Sequence, residues 1–156
     1  MIKSDMQGIL LTEHKVIAGF LYTKMKIAEI KKQHLNITRR GNLMHLPIED
    51  YEVIEILGIL IDNAIEASSS GDEIFISIAQ EDSGLEIQVS NPFSYLSNQQ
   101  FLQFFEKEYT TKSEQLRKRG YGLANVKELV EKYNGKLITG NKKIAERNYV
   151  MFGVKF

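Results

Sequence analysis

The chain has 156 residues, with 20 Lys and Arg against 20 Asp and Glu, no cysteine and no tryptophan. That is the size and make-up of one soluble globular domain with room for a proper core. A formal net charge of zero excludes holding nucleic acid or an anionic membrane through a bulk electrostatic field, and the lack of cysteine excludes disulfides, thiolate catalysis and the common structural zinc sites.

No stretch reaches the roughly 18 continuous apolar residues that a membrane span needs, because Glu55 and Asp62 interrupt the most apolar run, Val53 to Ile65. The N-terminus has no apolar signal core followed by a small-residue cleavage site. His14, His34 and His45 are spaced too irregularly for metal ligands and read as surface or helix-end histidines. The expected organisation is an N-terminal tail over 1–13 and one domain over 14–156.

In chain order, Val16, Ile17, Phe20, Leu21, Met25 and Ala28 follow helical spacing with lysines opposite, which predicts an amphipathic helix between His14 and His34. Leu35 to Arg39 is a strand candidate, and Gly41 with Pro47 bounds the loop that follows it. Glu49, Asp50 and Glu52 suit the positive end of a helix dipole and open a long apolar helix to Ser68, stopped by Ser68-Ser-Ser-Gly71-Asp72. Glu73–Ala79 and Leu85–Ser90 alternate and predict an antiparallel hairpin. Leu96 to Glu106 is a short Phe-rich helix, and the charged, aperiodic stretch from Glu106 to Gly122 reads as a functional loop. A helix from Leu123 to Tyr133, then strands near Lys136–Thr139 and Asn148–Phe156, close the chain. The fold expected is an α/β (α+β) two-layer sandwich, a mixed sheet covered by about three helices plus the N-terminal one.

Three features carry chemistry. Asn63 lies inside an apolar helix; it is either an amide tied to nearby backbone or an oxygen ligand for a hard cation such as magnesium, with Ala67 one turn on as a small surface for a flat ring. Gly120-Tyr-Gly122 is either a tight turn before a helix or a phosphate cradle. The cations of the preceding Tyr109-Thr-Thr-Lys112 to Arg119 segment are either a solvated face or partners of a polyphosphate. Asn91, before Pro92, is either a turn asparagine or an acceptor for an exocyclic amino group.

In order, Leu60-Ile-Asp-Asn63-Ala-Ile-Glu-Ala67, Val89-Ser-Asn91-Pro92, Tyr109-Thr-Thr-Lys112 and Arg119-Gly-Tyr-Gly122-Leu-Ala-Asn-Val126 resemble the ATP-binding catalytic domain of bacterial sensor histidine kinases. That domain belongs to the GHKL superfamily shared with gyrase, the ninety-kilodalton heat-shock chaperone and the mismatch-repair protein. The match is most similar to citrate-sensor and peptide-pheromone-sensor kinases, and Ile17-Ala-Gly-Phe-Leu-Tyr-Thr-Lys24 resembles the segment preceding the domain there. The resemblance implies a Bergerat-type ATP-binding fold with ATP and magnesium (Mg2+) as cofactors. Asn63 would be the metal-coordinating asparagine, and Asn91 would replace the family's adenine-reading aspartate. Phe104 or Phe105 would be the phenylalanine motif, and Thr110, Thr111 and Lys112 would begin the mobile lid. Gly120 and Gly122, leading into Leu123, would enclose the phosphates, with Lys112 and Arg119 as phosphate contacts.

Two departures stand out. Four residues before Asn63, where these kinases often carry a second asparagine, stands Ile59; weakened magnesium binding and very slow hydrolysis are expected. Only Gly120-Tyr-Gly122 of the longer glycine-rich box is present. No histidine here has the setting of a phosphoacceptor, so the catalytic histidine is expected in a separate dimerisation domain. The implied partners are that domain and a response regulator, with no nucleic acid. The implied setting is the cytoplasmic side of a membrane-bound homodimer, of which this chain is the excised catalytic part. The alternatives are a nucleotide-binding regulatory module without kinase activity and a serine kinase of the anti-sigma-factor type.

Overall fold

Apolar residues at every second position make the central strands two-faced. Ile74, Ile76 and Ile78 of β2 (Glu73–Glu81) and Leu85, Ile87 and Val89 of β3 (Gly84–Pro92) are buried, while the residues between them are mostly half-buried. The computed structural model describes residues 14–106 and 114–156, without the side chains of 114–121. The sheet it forms has the order β1-β2-β3-β5-β4. β1 (His34–Gly41) runs parallel to β2, and every other neighbour is antiparallel, including the pair β4 (Lys136–Ile144) and β5 (Arg147–Lys155).

A parallel pair needs a crossover, and here α2 (Asp50–Ala67) supplies it between β1 and β2. Three more helices are described: α1 (Lys15–Ile30), α3 (Asn98–Phe104) and α4 (Glu114–Lys132). The inward strand residues share one core cluster with Ile17, Leu21, Met25 and Ala28 of α1, Ile56, Leu57, Leu60 and Ile61 of α2, and Leu123, Val126 and Val130 of α4. The helices therefore form one layer on one face, and the expected two-layer α/β sandwich with a mixed sheet is the observed fold. The helices expected over 49–68 and 96–106 and both hairpins appear with ends shifted by a few residues.

The difference is at α4. A loop was expected through Gly122, yet the helix begins at Glu114. The run Glu114-Gln-Leu-Arg-Lys118 consists of strong helix formers, and it carries the helix through Gly120 and Gly122 despite their cost. The C-terminal end falls where expected: Asn134 adopts φ 56° and the Gly135 N–H bonds to the Val130 carbonyl at 2.8 Å.

Polar contacts of His14, His34 and Asp72 tie α1 to α2, β1 to β2 and the last hairpin to the α2–β2 connection. His14 is 7% exposed: its Nδ1 accepts from the Ile17 N–H at 3.2 Å, capping α1, and its Nε2 lies 3.1 Å from Asp50 Oδ1. It is a helix-end histidine as expected, but a buried one. His34, at the start of β1, sits with Nδ1 3.3 Å from Glu73 Oε2. Arg147 Nη1 reaches Asp72 Oδ1 at 2.8 Å, and Asp72 Oδ2 also accepts from the Ser69 N–H. That ties the β4–β5 hairpin to the α2–β2 connection.

The helix pair α2 and α4 is clamped by Glu52, 2% exposed on the first turn of α2. It accepts from Lys132 Nζ at 2.8 Å, from the Tyr133 hydroxyl and from the Glu49 N–H. Burial pushes the Glu52 carboxyl up, but the hydrogen bonds from Lys132, Tyr133 and Glu49 outweigh it and hold the group below the ordinary glutamate range. The Arg147 guanidinium, aided by the Ser69 N–H, likewise holds Asp72 low.

Both folded-state values lie below those of the unfolded chain, so both groups stabilise the fold fully above about pH 5 and lose that contribution as pH falls below about 4. Glu52→Gln should therefore cost about 1–3 kcal/mol at neutral pH and flatten the acid limb of stability; urea titrations between pH 3 and 7 measure both, and an unchanged acid limb would contradict the assignment. The two-residue β4–β5 turn places Ala145 and Glu146 at φ 51° and 66°, where non-glycine residues are strained. Ala145→Asn with Glu146→Gly should raise stability by about 1–2 kcal/mol, read as a higher urea midpoint at unchanged slope.

Candidate nucleotide site

Strand register gathers the separate motifs at one edge of the sandwich. Ser90 pairs with Phe75, so the end of β3, with Asn91, lies beside the start of β2. The start of β2 is joined by five residues to the end of α2, which carries Asn63 and Ala67. α4 runs antiparallel to α2: Glu52 meets Lys132 and Tyr133 at one end, and Ile59 meets Gly122 nearer the other. The first turns of α4, with Arg119 and Gly120, are thereby directed to the end where Asn63 sits.

Asn63 is half-buried, and its Nδ2 is enclosed without a hydrogen-bond partner among the described residues. An orphaned amide of this kind costs on the order of 1–3 kcal/mol, so the reading in which nearby backbone satisfies it does not hold for that atom. Nitrogen and oxygen of an amide exchange by a half-turn, which presents either a donor to a phosphate or an oxygen to a hard cation. Among the described residues no group of three or more His, Asp or Glu is placed to hold a metal. A cation here would thus depend on Asn63, water and the ligand's own oxygens, which is how magnesium is ordinarily held. The residues fit that ion, with a sparse donor set.

Asn91 is 4% exposed and continues the inward alternation of Leu85, Ile87 and Val89. It stands in β3, not in a turn, and its Nδ2 donates to the Pro92 carbonyl at 3.0 Å, which turns the amide into a fixed position. Ala67 is exposed at the end of α2. Leu123 is 5% exposed and packs in the core, so its side chain anchors α4 instead of facing a ligand. Gly120 and Gly122 lie within α4, and their amides belong to the helical ladder in this state. Thr110, Thr111 and Lys112 lie outside the described residues, as does the side chain of Arg119.

The wall beyond Asn91 was not legible in advance. Asn141 on β4 bonds both ways to the backbone of Leu96, accepting at 3.0 Å and donating at 2.7 Å. Asn148 Nδ2 donates to the Phe93 carbonyl at 2.9 Å. Both expected phenylalanines, Phe104 and Phe105, contact Phe152 with centroids 5.7 and 5.8 Å away, and Phe101 joins at 5.3 Å. The only advance signal was the density of phenylalanine in the short helix.

A mixed sheet backed by one helical layer, with a parallel β1–α2–β2 crossover, defines the class of this chain as a two-layer α/β sandwich. The model of the GHKL domain matches residues 48–151; the chain belongs to the GHKL domain family. It is 32% identical over 140 residues to the sensor protein CitS of Bacillus subtilis, spanning 87% of this chain and 25% of that protein. It is 32% identical over 126 residues to the sensor histidine kinase DcuS of Escherichia coli, spanning 78% and 23%. The chain thus spans about a quarter of the length of the curated relatives it matches. Its fold is similar to the catalytic domain of histidine kinase ThkA in a nucleotide-free form, with a TM-score of 0.73 and 18% identity over 93% of each chain.

Asn63→Ala should weaken magnesium-dependent nucleotide binding more than about tenfold while leaving the melting temperature unchanged or higher, because an orphaned amide is removed. Gly122→Val should abolish binding by pushing the start of α4 away from α2, since its side chain would enter the gap that Ile59 fills. Titration with a fluorescent ATP analogue checks both, and unchanged affinity in either variant would remove that residue from the site.

Proposed function

We propose that this chain is the ATP-binding catalytic domain of a sensor histidine kinase, and that it passes the γ-phosphoryl group to a histidine on a separate dimerisation domain. The observation that carries this reading is the convergence of Asn63, Ala67, Asn91 and the first turns of α4 at one edge of a GHKL fold, with Asn63 Nδ2 unpartnered among the described residues.

In this reading Asn91, fixed by its bond to Pro92, reads the adenine amino group through its carbonyl oxygen, and Ala67 leaves room for the ring. Asn63 holds magnesium, which when bound neutralises charge on the phosphates. Gly120 and Gly122 offer backbone N–H groups to the phosphates, and their contact requires the residues of α4 before Gly122 to leave the helix, so that Gly122, still against Ile59, becomes its first turn. Lys112 and Arg119 add positive charge. The acceptor imidazole nitrogen forms the new N–P bond as the bond from the γ-phosphorus to the ADP oxygen breaks. The work of this chain is positioning and electrostatic stabilisation, with water kept out. No base is needed from it, since the proton leaves the imidazole within the acceptor domain.

Further partners follow the same reading. ThkA is known in complex with a response regulator protein, and a regulator of that kind is the downstream partner proposed here. No helix among the described residues is long and apolar enough to cross a membrane, and the proposed setting is the cytoplasmic part of a membrane-bound homodimeric sensor. The whole of 14–156 acts as one domain.

Ile59 favours one competing reading. It brings no oxygen to the metal, and a domain that binds nucleotide only to contact a partner would tolerate it. Supplying the acceptor domain in trans with labelled ATP separates the two. The kinase reading predicts acid-labile, base-stable phosphate on the acceptor. Nucleotide binding without transfer would favour the regulatory module, and acid-stable phosphoserine on a partner would favour the serine kinase.

A further inference from the structure

Ile59 does more in the structure than interrupt a donor set. It is partly buried against the core, one helical turn before Asn63 on the same face of α2. A Cβ built on Gly122 would lie 3.4 Å from Ile59 Cγ2 and 3.7 Å from Cγ1. Gly122 therefore turns its bare backbone toward α2, and both branches of the Ile59 side chain fill the gap. The next residue back, Gly58, plays the complementary part toward α1: a Cβ there would lie 3.2 Å from Phe20 Cζ. α2 is thus held between two neighbours at adjacent residues, taking a knob from α1 and giving one to α4.

Between α2 and α4 lie the shared core side chains Leu123, Val126 and Val130 and, among the described residues, one contact toward each end. At the far end Glu52 binds Lys132 and Tyr133. Toward the site end the contact found is Ile59 on Gly122, one helical turn from Asn63, whose Nδ2 has no partner among the described residues. Both closest atoms belong to the β-branch, whose single preferred helical rotamer is stiff. A stiff wedge at that point sets how far the Gly122 backbone stands from Asn63.

We propose that Ile59 is a positioning residue of the nucleotide site: its β-branched side chain, seated on Gly122, sets the distance at which α4 meets the phosphates held at Asn63. This rests on the nucleotide reading of that edge. It converts a position that adds nothing to the metal into one that orients the glycine segment, and the requirement is for branching at Cβ, not for apolar volume.

Three substitutions separate those requirements. Ile59→Val keeps both contact carbons; Ile59→Leu keeps the volume at a small cost in packing but has one γ carbon; Ile59→Ala removes the wedge. Binding of a fluorescent ATP analogue with magnesium is titrated for each, together with wild type and Asn63→Ala, and melting curves are recorded alongside. The expected result is affinity within about twofold of wild type for Ile59→Val and a loss of about tenfold for Ile59→Leu and Ile59→Ala, although Ile59→Leu melts within about 4 °C of wild type. Amide hydrogen exchange across 120–126 gives a second readout, expected to be faster in the Leu and Ala variants than in wild type and Ile59→Val. Wild-type protein that binds no nucleotide would overturn the nucleotide reading and this inference with it; Asn63→Ala that binds as wild type does would remove Asn63 from the site and overturn this inference, which places the phosphates there. Normal behaviour of those two proteins, with Ile59→Leu binding as wild type and equal exchange rates throughout, would overturn the positioning role alone.

Discussion

The buried carboxylate of Glu52 sets the frame for everything at the opposite end of the helix layer. With Lys132, Tyr133 and the Glu49 N–H around it, it fixes α4 antiparallel to α2. Breaking such a network by removing one partner leaves an uncompensated buried group, which is why a charge on the first turn of an apolar helix can organise the packing of another helix. Because the clamp lies far from Asn63, it orients α4 without taking up any group of the proposed nucleotide site.

From that frame the site follows by geometry. The parallel β1–α2–β2 crossover brings the end of α2 to the start of β2, and the antiparallel β2–β3 register returns Asn91 to the same edge. The β4–β5 hairpin, tied down by Arg147 on Asp72, carries Asn141 and Asn148, which hold the segment after Asn91. Phe152 from β5 anchors the short Phe-rich helix that precedes the 107–113 segment. Among the described residues Asn63 Nδ2 is left open at this edge, as suits a proposed site that positions a ligand through placed polar groups.

Much of this was legible in the residues. The helical period from Val53 to Ile65, the alternation in β2 and β3 and the serine-glycine stop after α2 specify their elements because local pattern and tertiary burial agree there. Asn63 was legible as an amide among isoleucines. What the sequence hid is long-range or balanced. Asn141, Asn148 and Phe152 matter only through partners about 50 residues away in the chain. His14 reads as surface until Asp50 and the Ile17 N–H close around it. The start of α4 turned on a contest between five helix formers and two glycines, which pattern alone does not decide. Ile59 looked like a missing ligand, and its contact with Gly122 is visible only once the helices are packed.

The central claim is that one edge, built from the end of α2, the end of β3 and the start of α4, takes a nucleotide. The most direct measurement is an NMR titration of the labelled protein with a non-hydrolysable ATP analogue and magnesium, following backbone and asparagine side-chain amides. The account predicts saturable shifts concentrated at Asn63, Asn91 and Gly120–Leu123, with β1 and the outward face of α1 unmoved. Shifts centred away from that edge, or none at millimolar analogue, would contradict it.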